Sequence, residues 1–198
     1  SCRSFYRPTD SHARGIASGW LLGQSFGSQV GWALIARGFA ADGVVLAGGF
    51  VKHPWPWGAR FFQALLSGAP SAVVNPAYRG YTAVCNALAR RGVEEAEELM
   101  AFARNRGAKE WRAMSLRLAL IVSSDPRSTA RAMREPVHYL GGMIDPLVPW
   151  PLVIRWLRRE CPGYRGEVII RSADHNVLGS SPRESAAYVL SWISAGPV

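Results

Sequence analysis

The pentapeptide Gly23-Gln24-Ser25-Phe26-Gly27 constrains this chain more than any other stretch. It follows the apolar run Trp20-Leu21-Leu22 and precedes a helical apolar pattern, so it predicts a strand, a tight turn and a helix in immediate succession. Glycines on either side permit a turn that lifts the Ser25 hydroxyl above the end of the strand. A glycine-rich strand-to-helix turn with no chemistry would satisfy the same pattern. The rest of the chain has to decide between the two.

Four short apolar runs read as strands: Trp20-Leu21-Leu22-Gly23 and residues 44–47, 137–140 and 167–171, the last containing Val168-Ile169-Ile170. Between them the apolar period is helical. Val30, Leu34 and Ile35 form one face, closed by Gly38. Asp125-Pro126 predicts a helix with an acidic N-cap and proline in its first turn, ending before Pro136. Ser181-Pro182-Arg183-Glu184 reads as a capping box opening a last helix whose apolar face is Ala187, Leu190 and Ile193. Alternating strands and helices imply an α/β class with a mostly parallel sheet flanked by helices on both faces. From about residue 51 to residue 123 the alternation stops. Four helical stretches, 59–66, 82–91, 93–106 and 108–122, predict a helical insertion within a single domain spanning 1–198.

Composition removes several classes of function. The net charge is +9, nearly all of it arginine, but no run of five or six basic residues occurs, so a nucleic-acid partner is not expected. Residues 15–36 are uncharged and long enough to span a bilayer. Their glycines at 15, 19, 23, 27 and 31 and their serines and glutamines make a lipid-facing helix untenable, and no membrane partner is expected. Cys2, Cys85 and Cys161 form no C-x-x-C pair and read as free thiols in a reducing, cytoplasmic compartment. No metal-ligand cluster or phosphate-cradling loop is evident, so no cofactor is expected.

Two more polar residues occupy places like that of Ser25. The run 137–140 leads through Gly141-Gly142 to Asp145, and Val168-Ile169-Ile170 leads to Asp174-His175-Asn176. All three therefore lie just beyond the carboxyl ends of parallel strands, where open α/β sheets build their sites. His175 would take the Ser25 proton, while Asp145 would fix the imidazole tautomer and stabilise its cation. Competing residues fit less well. Asp174 adjoins His175 and suits a turn, Asp42 precedes its strand, Asp125 serves as a cap, His138 is mid-strand, and His12 carries no signal.

On Gly23-Gln24-Ser25-Phe26-Gly27, the segment 136–149 and Ala173-Asp174-His175, the chain resembles a cap-bearing serine hydrolase of the α/β-hydrolase superfamily from about residue 18 onward. The resemblance implies Ser25 as nucleophile, Asp145 as acid and His175 as base. It also implies a helical lid at about 51–123 and hydrolysis of a small carboxylic ester. Phe26, through its N–H, together with Gln24 and His53, would border the oxyanion and the substrate. The runner-up is a catalytically impaired remnant that serves as a binding or assembly subunit.

Relative to the family the chain is expected to be N-terminally truncated, with about four strands and one oxyanion-hole donor lacking. Loss of one donor typically costs about 10²–10³ in rate. The run Trp20-Leu21-Leu22-Gly23 would then be an exposed sheet edge, for which a homo-oligomer is the expected cover.

Overall fold

The computed structural model describes residues 18–68, 73–76, 79–80, 83–84, 87 and 108–195. The sheet strands are β1 (Ser18–Gln24), β2 (Ala40–Ala47), β3 (Val137–Ile144) and β4 (Tyr164–Asp174). The helices are α1 (Gly27–Ile35), α2 (Pro56–Gly68), α3 (Ala108–Ser123), α4 (Arg127–Ala132), α5 (Trp150–Glu160), α6 (Val177–Ser180) and α7 (Pro182–Ser194). The sheet order is β1-β2-β3-β4 and every pairing is parallel. All four expected strands are present, each longer than its apolar run. Among the described residues β1 has a neighbour on one side only, and Leu22 on it is 48% exposed.

Alternation along the strands divides the core between the two faces of the sheet. Val44, Leu46, Val137 and Tyr139 face one layer, where Trp32 of α1, Ala130 of α4 and Val153, Ile154 and Leu157 of α5 cover them. Val45, Ala47, Leu140 and Ile170 face the other, under Val177 of α6 and Val189 of α7. Burying each large side chain of this kind contributes about 1.5–3 kcal/mol.

Two helices turn a different face to the sheet from the one their apolar residues suggest. In α1 the buried residues are Ser28, Gln29 and Trp32, while Val30 is exposed. In α7 the buried positions are Ser185 and Val189, with Tyr188 and Trp192 packed beside them, whereas Leu190 and Ile193 are exposed. The expected caps also differ. Ser181 precedes α7 but makes no side-chain capping bond, so the capping box does not form. Pro126 takes the N-cap position of α4. The Asp125 carboxylate, one residue upstream, accepts the Arg127 backbone N–H at 3.4 Å and binds Lys52 (2.8 Å) and the Arg127 guanidinium (2.6 Å). The Arg127 side-chain hydrogen bond, more than any other contact, holds that carboxyl far below the usual aspartate range. Lys52 and Asp125 thereby join the entry and exit of the helical excursion between β2 and β3.

Within that excursion α2 and α3 pack together, with Ser67 Oγ 2.7 Å from Ser115 Oγ. The expected helices at 82–91 and 93–106 fall largely outside the described residues. Cys161 is buried with a free thiol, while Cys2, Cys85 and His12 lie outside the described residues. No helix among the described residues is long and apolar enough to cross a membrane.

His138 lies in the second core layer, stacked on Trp192 with ring centroids 4.6 Å apart and planes 5° from parallel. Its Nδ1 is buried without a partner, so the hydrogen bond expected of a core histidine is missing there. Burial first, and the Arg165 charge second, lower its pKa from 6.5. The unfolded chain therefore binds more protons, and stability is lost as pH falls below about 6.5 towards the lowered folded value. His138→Phe, which keeps a stacked ring and removes the titration, should flatten the fall in Tm between about pH 7 and about pH 5. Unchanged slopes in thermal melts of the two proteins would refute this.

Candidate active site

Each expected triad residue is the one immediately after a strand: Ser25 after β1, Asp145 after β3 and His175 after β4. The parallel sheet thus delivers all three to one edge. Ser25 Oγ lies 2.8 Å from His175 Nε2, and Asp145 Oδ2 lies 2.9 Å from His175 Nδ1. The Asp145 side chain is 1% exposed and that of His175 16%, so the pair is largely shielded while the imidazole stays reachable. The second Asp145 oxygen, Oδ1, accepts the N–H groups of Leu147 and Val148, each at 2.9 Å. A carboxylate held at both oxygens keeps its plane. The carboxylate oxygen Oδ2 can only accept from the imidazole, which leaves Nε2 bare towards the serine.

Ser25 is the only non-glycine residue with positive φ, at 51°, among the described residues. Such a left-handed serine costs of order 1–3 kcal/mol and persists where its surroundings over-determine it. Here they do. Its N–H donates to the Ala47 carbonyl (3.0 Å), and its own carbonyl accepts the Ser28 N–H (3.0 Å) and the Ser28 hydroxyl (2.6 Å). Gly23 makes the turn possible by space, because a Cβ there would sit 2.8 Å from the Ser28 backbone. Gly27 has no such role, as a Cβ there would meet nothing within 4 Å.

Ser28 and Gln29, which the motif does not single out, bind the elbow to the loop after β2. The Ser28 hydroxyl accepts the Phe50 N–H (3.1 Å), and Gln29 Nε2 donates to the Phe50 (3.0 Å) and Val51 (2.8 Å) carbonyls. The Phe26 N–H stands at the start of α1, where the helix dipole adds positive potential. The Gln24 amide turns to the Asn176 carboxamide, joining the residue before the serine to the residue after the histidine. The two ring nitrogens of His53 are taken up by the Leu147 carbonyl and the Trp55 N–H. Asp174 accepts the Asn176 N–H at 2.8 Å and shapes the histidine turn. Among the described residues no group of histidine, cysteine and carboxylate side chains could hold a metal. A cavity of about 540 Å³ lined by Trp20, Phe39, Asp42 and Glu135 lies at the opposite, amino ends of the strands and takes no part in this arrangement.

No family model matches the chain, and no curated protein matches it in sequence. The likeness to solved structures is close in shape. A hydrolase from Pseudomonas aeruginosa PA01 superimposes with a TM-score of 0.71 at 18% identity, covering 92% of this chain and 67% of that one. This is the α/β-hydrolase fold. A thermophilic esterase from Thermogutta terrifontis shares the α/β-hydrolase fold with a TM-score of 0.70 at 18% identity, covering 94% of this chain and 68% of its own. A bromoperoxidase from Bacillus anthracis does so at 0.69 and 16%, covering 93% and 70%. Nearly all of this chain therefore maps onto about two thirds of each α/β-hydrolase neighbour.

Proposed function

We infer that the chain hydrolyses small carboxylic esters through an acyl-enzyme on Ser25. The observation that carries this reading is the unbroken contact from Ser25 Oγ through the His175 imidazole to a buried carboxylate, at 2.8 and 2.9 Å. His175 Nε2 takes the Ser25 proton as Oγ attacks the ester carbonyl. The Phe26 N–H and the α1 dipole stabilise the oxyanion that develops. Collapse of the tetrahedral intermediate expels the alcohol, which His175 protonates. Water then attacks the acyl group, His175 takes its proton, and Ser25 is released with the acid. Throughout, the Asp145 carboxylate stabilises the imidazolium and holds the ring in register. The helices α2 and α3, which lie in the chain between β2 and β3, serve in this reading as part of a lid over the acyl site.

The test is labelling by a reporter-tagged fluorophosphonate, with the adduct located by peptide mass spectrometry. One phosphonyl group per chain on Ser25, together with loss of p-nitrophenyl acetate hydrolysis on labelling, is the expected result. A chain that takes no label and turns over no ester is a binding or assembly subunit instead.

A further inference from the structure

His53 sits between the loop after β2 and the root of α2, half-buried and edge-on to Phe50, with ring centroids 5.0 Å apart. Its protonation can be read from its partners. The Leu147 carbonyl, 3.2 Å from Nε2, can only accept, so Nε2 carries the hydrogen. The Trp55 N–H, 3.1 Å from Nδ1, donates, so Nδ1 is bare. The ring is therefore neutral, and burial favours the same form by lowering its pKa below 6.5.

The carbonyl that His53 holds belongs to the same peptide unit as the Val148 N–H. That N–H donates to Asp145 Oδ1 at 2.9 Å. One hydrogen-bonded line thus runs from His53 Nε2–H through the Leu147–Val148 peptide to Asp145, and on to His175 and Ser25. Bonds in such a line polarise one another, and a peptide gripped at both its oxygen and its hydrogen cannot rotate about the flanking bonds. On its other side His53 receives the Trp55 N–H, and the Trp55 carbonyl accepts the Ala59 N–H of α2 at 3.2 Å. The Trp55 ring meets Trp57 edge-on with centroids 4.5 Å apart.

We propose that His53 is a positioning residue for the triad, orienting the Asp145 carboxylate through the Leu147–Val148 peptide and tying it to the root of α2. This rests on the ester-hydrolase reading of the site. Leu147 is 40% exposed, so water can replace the lost donor when His53 is removed. The effect then falls on orientation rather than on folding. Asp145 and His175 are the titratable groups within electrostatic reach of the ring.

Two substitutions separate the two ring nitrogens. In His53→Gln the side-chain NH₂ lies near the place of Nε2 and can still donate to Leu147. In His53→Asn the side-chain oxygen lies near Nδ1 and can still accept from Trp55, but nothing reaches Leu147. Neither titrates, so their contrast isolates the hydrogen bond from any charge on residue 53, and both lose the ring contact with Phe50. His53→Asn should lose about tenfold in kcat at unchanged KM, the rate equivalent of one hydrogen bond. His53→Gln should retain the kcat of the wild type.

A readout free of turnover is the exchange of the His175 Nδ1 hydrogen with water, followed by NMR on the full chain with ¹⁵N-labelled histidine. It should quicken in the Asn variant and not in the Gln variant. Equal behaviour of the two variants in rate and exchange overturns the proposal. A wild-type chain that takes no fluorophosphonate but shows the exchange contrast refutes the hydrolase reading and leaves the positioning role standing.

Discussion

Asp145→Asn is expected to lower kcat about 10⁴-fold on any ester the chain hydrolyses, with KM nearly unchanged. The size follows from which way the amide must point. The N–H groups of Leu147 and Val148, each 2.9 Å from Oδ1, require an acceptor at that position. The Asn oxygen has to occupy it, which turns the NH₂ towards His175 Nδ1. Two donors cannot face each other, so the imidazole must present a bare Nδ1 and carry its hydrogen on Nε2. That nitrogen, 2.8 Å from Ser25 Oγ, then has no lone pair with which to accept the serine proton. Because the turn keeps both its bonds, Tm should change little. Steady-state kinetics with a p-nitrophenyl ester measure the effect, and a loss below tenfold would mean that Asp145 does not set the tautomer. A double variant with Ser25→Ala should be no slower than Ser25→Ala alone, since the two groups act as one unit.

The sequence marks Ser25, Asp145 and His175 because strand ends leave local signals. Glycines bracket Ser25, Gly141-Gly142 precede Asp145, and a β-branched run precedes His175. Their convergence then follows from parallel strands, which place successive carboxyl ends side by side. The supporting contacts leave no such mark. Gln29 meets Val51 across 22 positions, His53 meets Leu147 across 94, and Gln24 meets Asn176 across 152. Pattern alone cannot pair residues at those separations.

The helix faces are illegible for a related reason. The inner face of α1 begins with Ser28 and Gln29 because its first turn packs on the elbow and the Phe50 loop, whose backbone groups need polar partners. Hydrophobic periodicity therefore points to Val30, which is 47% exposed. Strand β4 extends to Asp174 through Arg171 and Ser172, whose side chains are exposed while the strand pairs with β3. The apolar run stops at this exposed pair, while the strand continues past it to the buried Ala173 and Asp174.

Gly48→Ala is expected to cost about 10²-fold in kcat/KM, although residue 48 contributes no side chain to the site. Gly48 directly follows β2 and adopts φ +54°, a conformation that an alanine enters with strain. Its N–H donates to the Leu140 carbonyl at 2.7 Å, so the residue cannot move away without breaking the β2–β3 edge. A Cβ built there lies 2.9 Å from the His175 carbonyl, 3.6 Å from His175 Nδ1 and 3.8 Å from Asp145 Oδ2. The first of these is too close to persist. A displaced His175 carbonyl carries its ring with it and lengthens the contact from Nε2 to Ser25. Strain and displacement can be told apart with Gly38→Ala. Gly38 has φ +92°, and a Cβ there meets nothing within 4 Å, so this variant carries the backbone cost without the collision. Both variants should melt at lower temperature than the wild type, and Gly48→Ala alone should lose turnover and fluorophosphonate reactivity. Equal losses of turnover in the two, or full activity in Gly48→Ala, would show that the close approach of β2 to the His175–Asp145 pair has no bearing on the chemistry.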